Sequence, residues 1–202
     1  MIIGVYNRAG AVTFAGLVLA VAAVFCAFHR NLPLAMICLM YSGLCDLFDG
    51  WVARRWNRSE TEKLFGLQSD SLADMAAFGL APAVILLNSG FDGWIDFVLF
   101  SLYVCAAAMR LAVFNQTRSG DQQPMKTYTG LPVTYAALIF PVALLPGGQM
   151  SAGGFAWMVR AVVLATAFLF VLRAPLPKPR GRAYAFFTLL AIGLTVLWLD
   201  KV

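Results

Sequence analysis

Charge is what this sequence has least of. Charged side chains make up 12% of its 202 residues, about half the share usual in a soluble domain. That excludes a water-soluble globular enzyme, a disordered segment and a nucleic-acid module with a solvated basic face. Histidine is almost missing. With His29 the single one, a multi-histidine zinc site cannot be assembled, and a Ser-His-Asp or Cys-His mechanism would rest on that one residue. Cysteine is scarce as well: Cys26, Cys38, Cys45 and Cys105 fall in apolar stretches without C-x-x-C spacing. They read as packed free thiols, against a disulfide framework or a metal knot. Catalysis is left to the ten acidic residues.

Apolar residues fill the space instead, at 61% of the chain and a mean hydropathy of +0.78. Seven apolar runs can be drawn, at residues 10–28, 32–53, 67–89, 94–114, 131–147, 153–172 and 183–199. Most are long enough to cross a bilayer as a helix. The expected architecture is an all-α, polytopic membrane bundle of about seven spans, forming one domain over residues 1–202. The first run is expected to be a retained span, because it lacks a convincing A-x-A-like cleavage site before His29 and Arg30.

The basic residues orient the spans. With the N-terminus placed inside, the inner segments and helix ends hold Arg8, Arg54, Arg55, Arg58, Lys63, Arg110, Arg118, Lys126, Arg173, Lys178, Arg180 and Arg182, twelve of the fifteen. Arg30, Arg160 and Lys201 remain, and the outer turns at 88–94 and 146–152 hold none. So lopsided a split follows the positive-inside rule. Arg160 fits least well, deep in the sixth run, where it either snorkels or marks an interfacial start to that helix. The 174–181 stretch, with Pro175, Pro177 and Pro179, reads as a rigid basic turn on the inner side.

The acids are placed unevenly. Asp46, Asp49, Gly50 and Ala53 lie three or four residues apart at the inner end of the second span. Gly66, Asp70 and Asp74 repeat that spacing at the start of the third. On a helix such residues share a face, and the two spans are antiparallel neighbours, so the stripes can oppose each other. An acid at a span centre costs about 2.5–3.5 kcal/mol on insertion scales. Four together also repel, and hard divalent cations such as Mg²⁺ or Mn²⁺ relieve both problems. Two ions about 4 Å apart are suited to clamping a diphosphate. The small residues leave room for a ligand against the backbone. Two plainer readings stand beside this one: interfacial acids paired with Arg54, Arg55 and Lys63, and a cation or proton pathway through the bundle. Intramembrane prenyltransferases also bind diphosphates through aspartates and Mg²⁺, but normally with two acidic motifs on distant helices.

The pattern D-x-x-D-G-x-x-A-R, a spacer over residues 55–65, and G-x-x-x-D-x-x-x-D resembles the signature of the CDP-alcohol phosphatidyltransferases. Its fixed positions are Asp46, Asp49, Gly50, Ala53, Arg54, Gly66, Asp70 and Asp74. The resemblance implies a CDP-linked lipid donor, an alcohol acceptor, two divalent cations (Mg²⁺ or Mn²⁺), release of CMP, a six-helix core and a homodimer. The seventh span would be a C-terminal addition. The resemblance gives Asp46, Asp49 and Asp70 as metal ligands, with Asp74 serving the second ion and standing as candidate general base. Gly50, Ala53 and Gly66 would line the pocket for the CDP-lipid, beside Asp46 and Asp70, with Arg54 closing its inner end.

Three further stretches resemble the branch of that family that makes phosphatidylserine: residues 70–82, residues 109–115 and residues 129–134. This implies CDP-diacylglycerol and L-serine as substrates. The chain departs from the branch at Val113, where a base is common, and at Thr134, where a second proline is frequent. A zwitterionic amino acid needs a cation for its carboxylate, and Arg110, Asn115, Arg118 and Lys126 are the candidates around the acceptor. Arg118 and Lys126 read equally as positive-inside charges. Arg110, within an apolar sequence, calls for a carboxylate partner from protein or ligand. Glycerol 3-phosphate and inositol phosphate remain as other acceptors.

The expected location is a prokaryotic cell membrane, with the site facing the cytoplasm. A cysteine reagent confined to the cytoplasm is expected to label cysteines introduced at 55–63 and 178–182 and to miss those at 89–93. The reverse pattern would overturn this orientation.

Overall fold

The computed structural model describes residues 8–53, 55, 59–120, 127–177 and 182–201. They are helical almost throughout: α1 (Arg8–Phe28), α2 (Leu32–Ala53), α3 (Glu60–Asp74), α4 (Ala81–Asn88), α5 (Trp94–Gly120), α6 (Ala136–Leu144), α7 (Ala152–Val171) and α8 (Arg182–Leu199). A π turn, Met75–Leu80, joins α3 and α4 into one continuous span. Five helical stretches are long and apolar enough to cross a membrane: Gly10–Phe28, Leu32–Gly50, Glu60–Asn88, Trp94–Gln116 and Ala152–Val171. Two shorter apolar ones, Val133–Gly148 and Tyr184–Leu199, complete the seven expected runs. The protein is a multi-pass membrane helical bundle. Apolar side chains cover its outside, among them Trp94, Phe25, Phe97, Leu189 and Phe168, as a lipid solvent requires.

Local chemistry sets the element ends. Arg30, at φ 57°, and Asn31 turn the chain between α1 and α2, and the Asn31 side chain caps α2 by accepting from Leu34 N at 3.0 Å. These two helices form the closest-packed pair, lined by Ala20, Ala23, Ala27 and Ala35. The third span begins well before its apolar run because Ser59 and Glu62 form a reciprocal capping box at its N-terminus.

Within that span, Pro82 carries no N–H, so the carbonyl of Phe78 four residues earlier loses its helical donor. The buried hydroxyl of Tyr103 on α5 donates to that carbonyl instead. Tyr103 also packs its ring 5.5 Å from those of Phe140 and Phe170, tying α5 to α6 and α7. A Cβ on Gly79 would meet the flexible end of the Met75 side chain at 3.0 Å, a contact that a small shift of Met75 would relieve.

The chain between α5 and α6 meets the chain between α7 and α8 in a short antiparallel ribbon, β1 (Thr127–Thr129) and β2 (Pro175–Pro177), registered Tyr128 to Leu176. Gly130 follows at φ 82°, where a Cβ would lie 2.9 Å from the Leu172 carbonyl. Its N–H donates to Ala174 O, and that of Leu131 to Leu169 O, so one of the open carbonyls ending α7 is satisfied here.

Arg160 has a specific partner. Its guanidinium forms two bonds to Asp96, Nε to Oδ1 at 2.8 Å and a terminal nitrogen to Oδ2 at 2.9 Å. Asp96 is 1% exposed and also accepts from Gly93 N. The pair ties the start of α5 to α7 and gives Arg160 a specific carboxylate partner near that helix end. Removing one member strands the other, so Asp96→Asn is expected to lower Tm in detergent more than the double change Asp96→Leu with Arg160→Met. An unchanged Tm for Asp96→Asn would show the pair to be dispensable.

Candidate functional site

The two acidic stripes do face each other. Helix α2 carries Asp46 and Asp49 on consecutive turns of one face, and α3 brings Asp70 and Asp74 against them. One carboxylate oxygen from each of Asp46, Asp49 and Asp70 lies within 4.8 Å of the others. The acids pair across the helices within hydrogen-bonding reach, Asp46 with Asp74 and Asp49 with Asp70. Carboxylates approach so closely only with a proton or a cation between them. An all-oxygen donor set of this span, with a buried member in Asp49 at 7% exposure, fits a hard divalent cation.

Two hydroxyls hold this cluster from outside the motif. Thr13 on α1 donates to Asp49 Oδ2 at 2.6 Å, and Thr134, in the turn before α6, donates to Asp46 Oδ2 at 2.6 Å. Neither role was evident from the sequence pattern. The available signal for Thr13 was that it is the one hydroxyl residue in α1. For Thr134 it was the departure from proline already noted, which restores a donor side chain.

The acids open onto a cavity of about 190 Å³. Asp46, Asp49, Gly50, Asp70 and Asp74 line one side. Arg110, Leu111 and Phe114 of α5, residues 132–135, and Tyr184 and Phe187 of α8 complete the wall. Gly43 lies where α2 and α6 approach so closely that an added Cβ would sit 2.5 Å from that of Ala137.

Arg110 is buried, at 6% exposure, and its guanidinium donates to the carbonyls of Leu131 at 3.1 Å and Gly130 at 3.4 Å. It also lies 5.7 Å from the centre of the Phe114 ring. For these two bonds the partners are carbonyls of the segment that leads from β1 into α6. Arg110 also lines the cavity, so its guanidinium belongs to the wall opposite the acids.

Other candidates fall outside it. Ala53 and Gly66 are half-buried and do not line the cavity. Asn115 accepts from Ser71 Oγ at 2.9 Å and so ties α5 to α3. Arg54 and Lys126 lie outside the described residues, as does the side chain of Arg118. Tyr184 and Phe187 were missed, since α8 reads in sequence as an ordinary apolar span. Their rings pack 6.2 Å from Phe48 and 5.5 Å from Tyr135, respectively.

The structure is thus a multi-pass helical bundle in which a cluster of carboxylates opens on a cavity between the helices. The chain belongs to the CDP-alcohol phosphatidyltransferase family, whose model matches residues 6–172. It is 41% identical over 103 residues to the CDP-diacylglycerol–serine O-phosphatidyltransferase of Saccharomyces cerevisiae, covering 50% of this chain and 36% of that one. It is 35% identical over 118 residues to the archaetidylserine synthase of Methanothermobacter thermautotrophicus, covering 58% and 48%. A CDP-diacylglycerol–serine O-phosphatidyltransferase of Mycobacterium leprae is 32% identical over 176 residues, covering 79% and 57%. The chain thus spans between 36% and 57% of the length of these relatives. The family match stops before α8, although α8 supplies two residues of the cavity wall.

Proposed function

We propose that the protein transfers a phosphatidyl group from CDP-diacylglycerol to L-serine, giving phosphatidylserine and CMP. The observation that carries this reading is the cavity that sets the Asp46, Asp49 and Asp70 oxygens on one side and the Arg110 charge on another. Names of the relatives support serine as the acceptor. A divalent cation, Mg²⁺ or Mn²⁺, held by Asp46, Asp49 and Asp70 with Asp74 completing a second position, would neutralise the diphosphate and stabilise its leaving oxygen.

The chain's own groups do the rest. Gly50, without a side chain, lets the donor approach α2. Arg110 takes the serine carboxylate as a charge-assisted pair. Asp74 removes the proton of the serine hydroxyl as its oxygen bonds to the lipid-bearing phosphorus, and the bridging oxygen departs with CMP. With the basic residues placed inside by the positive-inside rule, the donor's nucleotide would enter from the cytoplasm of a prokaryotic cell. Its acyl chains would remain among the spans.

The experiment is CMP release by purified protein given CDP-diacylglycerol with serine, glycerol 3-phosphate or inositol phosphate in parallel. Serine is expected to support turnover, EDTA to abolish it, and Asp70→Asn to weaken its metal dependence. Asp74→Asn should keep most donor binding while turnover falls by about 10²–10⁴. Arg110→Ala should raise the KM for serine with a smaller effect on donor binding. Full turnover in metal-free buffer, or by Asp74→Asn, would contradict the roles given to the aspartates. Preference for either phosphorylated acceptor would contradict serine.

A further inference from the structure

Two of the carboxylates in the cluster are held by hydroxyls that no part of the aspartate pattern supplies. Thr13 projects from α1 and Thr134 from the turn Val133–Tyr135, and each donates at 2.6 Å to the Oδ2 atom of a different aspartate. Their placement is not incidental to those elements. Thr166, Thr188 and Thr195 return their hydroxyls to their own helix, to carbonyls four residues earlier at 2.7–2.8 Å. Thr13 and Thr134 reach across to α2, over separations of 36 and 88 residues.

A carboxylate on a helix end swings about two torsions, and an aspartate that must meet a cation gains from having one oxygen fixed. A hydroxyl is suited to this task. It donates to the anion without competing for charge, as a lysine or arginine would. Fixing Oδ2 on Asp46 and Asp49 leaves Oδ1 of each to the cation. The two donors come from different elements, so one carboxylate is held by α1 and the other by the turn before α6.

We propose that Thr13 and Thr134 are positioning residues that orient the Asp49 and Asp46 carboxylates for a divalent cation. The proposal rests on reading the cluster as a cation site. It adds α1 and the 133–135 turn to the machinery.

The test is Mn²⁺ binding to the purified full-length protein, followed by the loss of the free-ion EPR signal without substrate, with Tm measured in EDTA on the same samples. Valine keeps the branched shape of threonine and removes the hydroxyl. Thr13→Val and Thr134→Val are each expected to weaken Mn²⁺ binding about tenfold or more, within the range seen when groups that orient metal ligands are lost. Their Tm in EDTA should stay near that of the wild type. Thr13→Ser and Thr134→Ser, which keep the donor, should bind within about threefold of the wild type, and Thr166→Val should leave affinity unchanged. Wild-type protein that takes up no Mn²⁺ would overturn the cation reading itself, and this proposal with it. Wild-type protein that binds, with both valine variants binding equally well, would overturn the proposal alone. So would serine variants as weak as the valine ones, since packing rather than the hydroxyl would then be at work.

Discussion

Four carboxylates near one end of an apolar bundle must be compensated, and most of the architecture around α2 and α3 follows from that need. Asp46, Asp49, Asp70 and Asp74 sit where water cannot solvate them freely, so they crowd into pairs that require a proton or a cation between them. The compensation is distributed. Hydroxyls from α1 and from the turn before α6 take one oxygen each from Asp49 and Asp46. A buried arginine from α5 stands across the cavity. Each of these reaches in from a different element, which is why the site needs the whole bundle around it and not two helices alone.

The scaffold solves the same problem for its backbone. The carbonyl of Phe78, left open by Pro82, is taken by Tyr103, and Arg110 serves the carbonyls of Gly130 and Leu131. Gly130 can lie against the end of α7 only because it lacks a side chain and adopts positive φ. Arg110 therefore joins the end of α7 to the cavity wall. Toward the other end of α5, Asp96 and Arg160 hold that helix to α7 with a paired charge. Helix α5 is thus held near the site by the Arg110 bonds to two carbonyls and far from it by an ion pair, besides the Tyr103 and Asn115 contacts.

The sequence made the bundle and the aspartates legible because both are written in local spacing. Apolar runs give the spans, and i,i+3 and i,i+4 steps give the two stripes. What it concealed were partners far apart in the chain. Thr13 and Asp49 are 36 residues apart, Ser71 and Asn115 are 44, Asp96 and Arg160 are 64, and Thr134 and Asp46 are 88. No periodicity links such residues. Arg160 looked misplaced only because its acid lies on another helix. Tyr184 and Phe187 were hidden for a different reason: aromatic residues are common in membrane spans, so nothing in their spacing separates a cavity wall from a lipid face. Ala53 and Gly66 show the converse, since they share the acids' stripes yet are not among the residues lining the cavity.

In the proposed function, a cation held by acids of both helices would let α2 and α3 keep four carboxylates close together and would place the reactive chemistry at their junction. Anomalous diffraction from crystals grown with Mn²⁺ tests this most directly. The expected result is a peak bounded by the carboxylates of Asp46, Asp49 and Asp70. A map with no peak in this cavity at saturating Mn²⁺, or with Mn²⁺ bound only elsewhere on the protein, would contradict it.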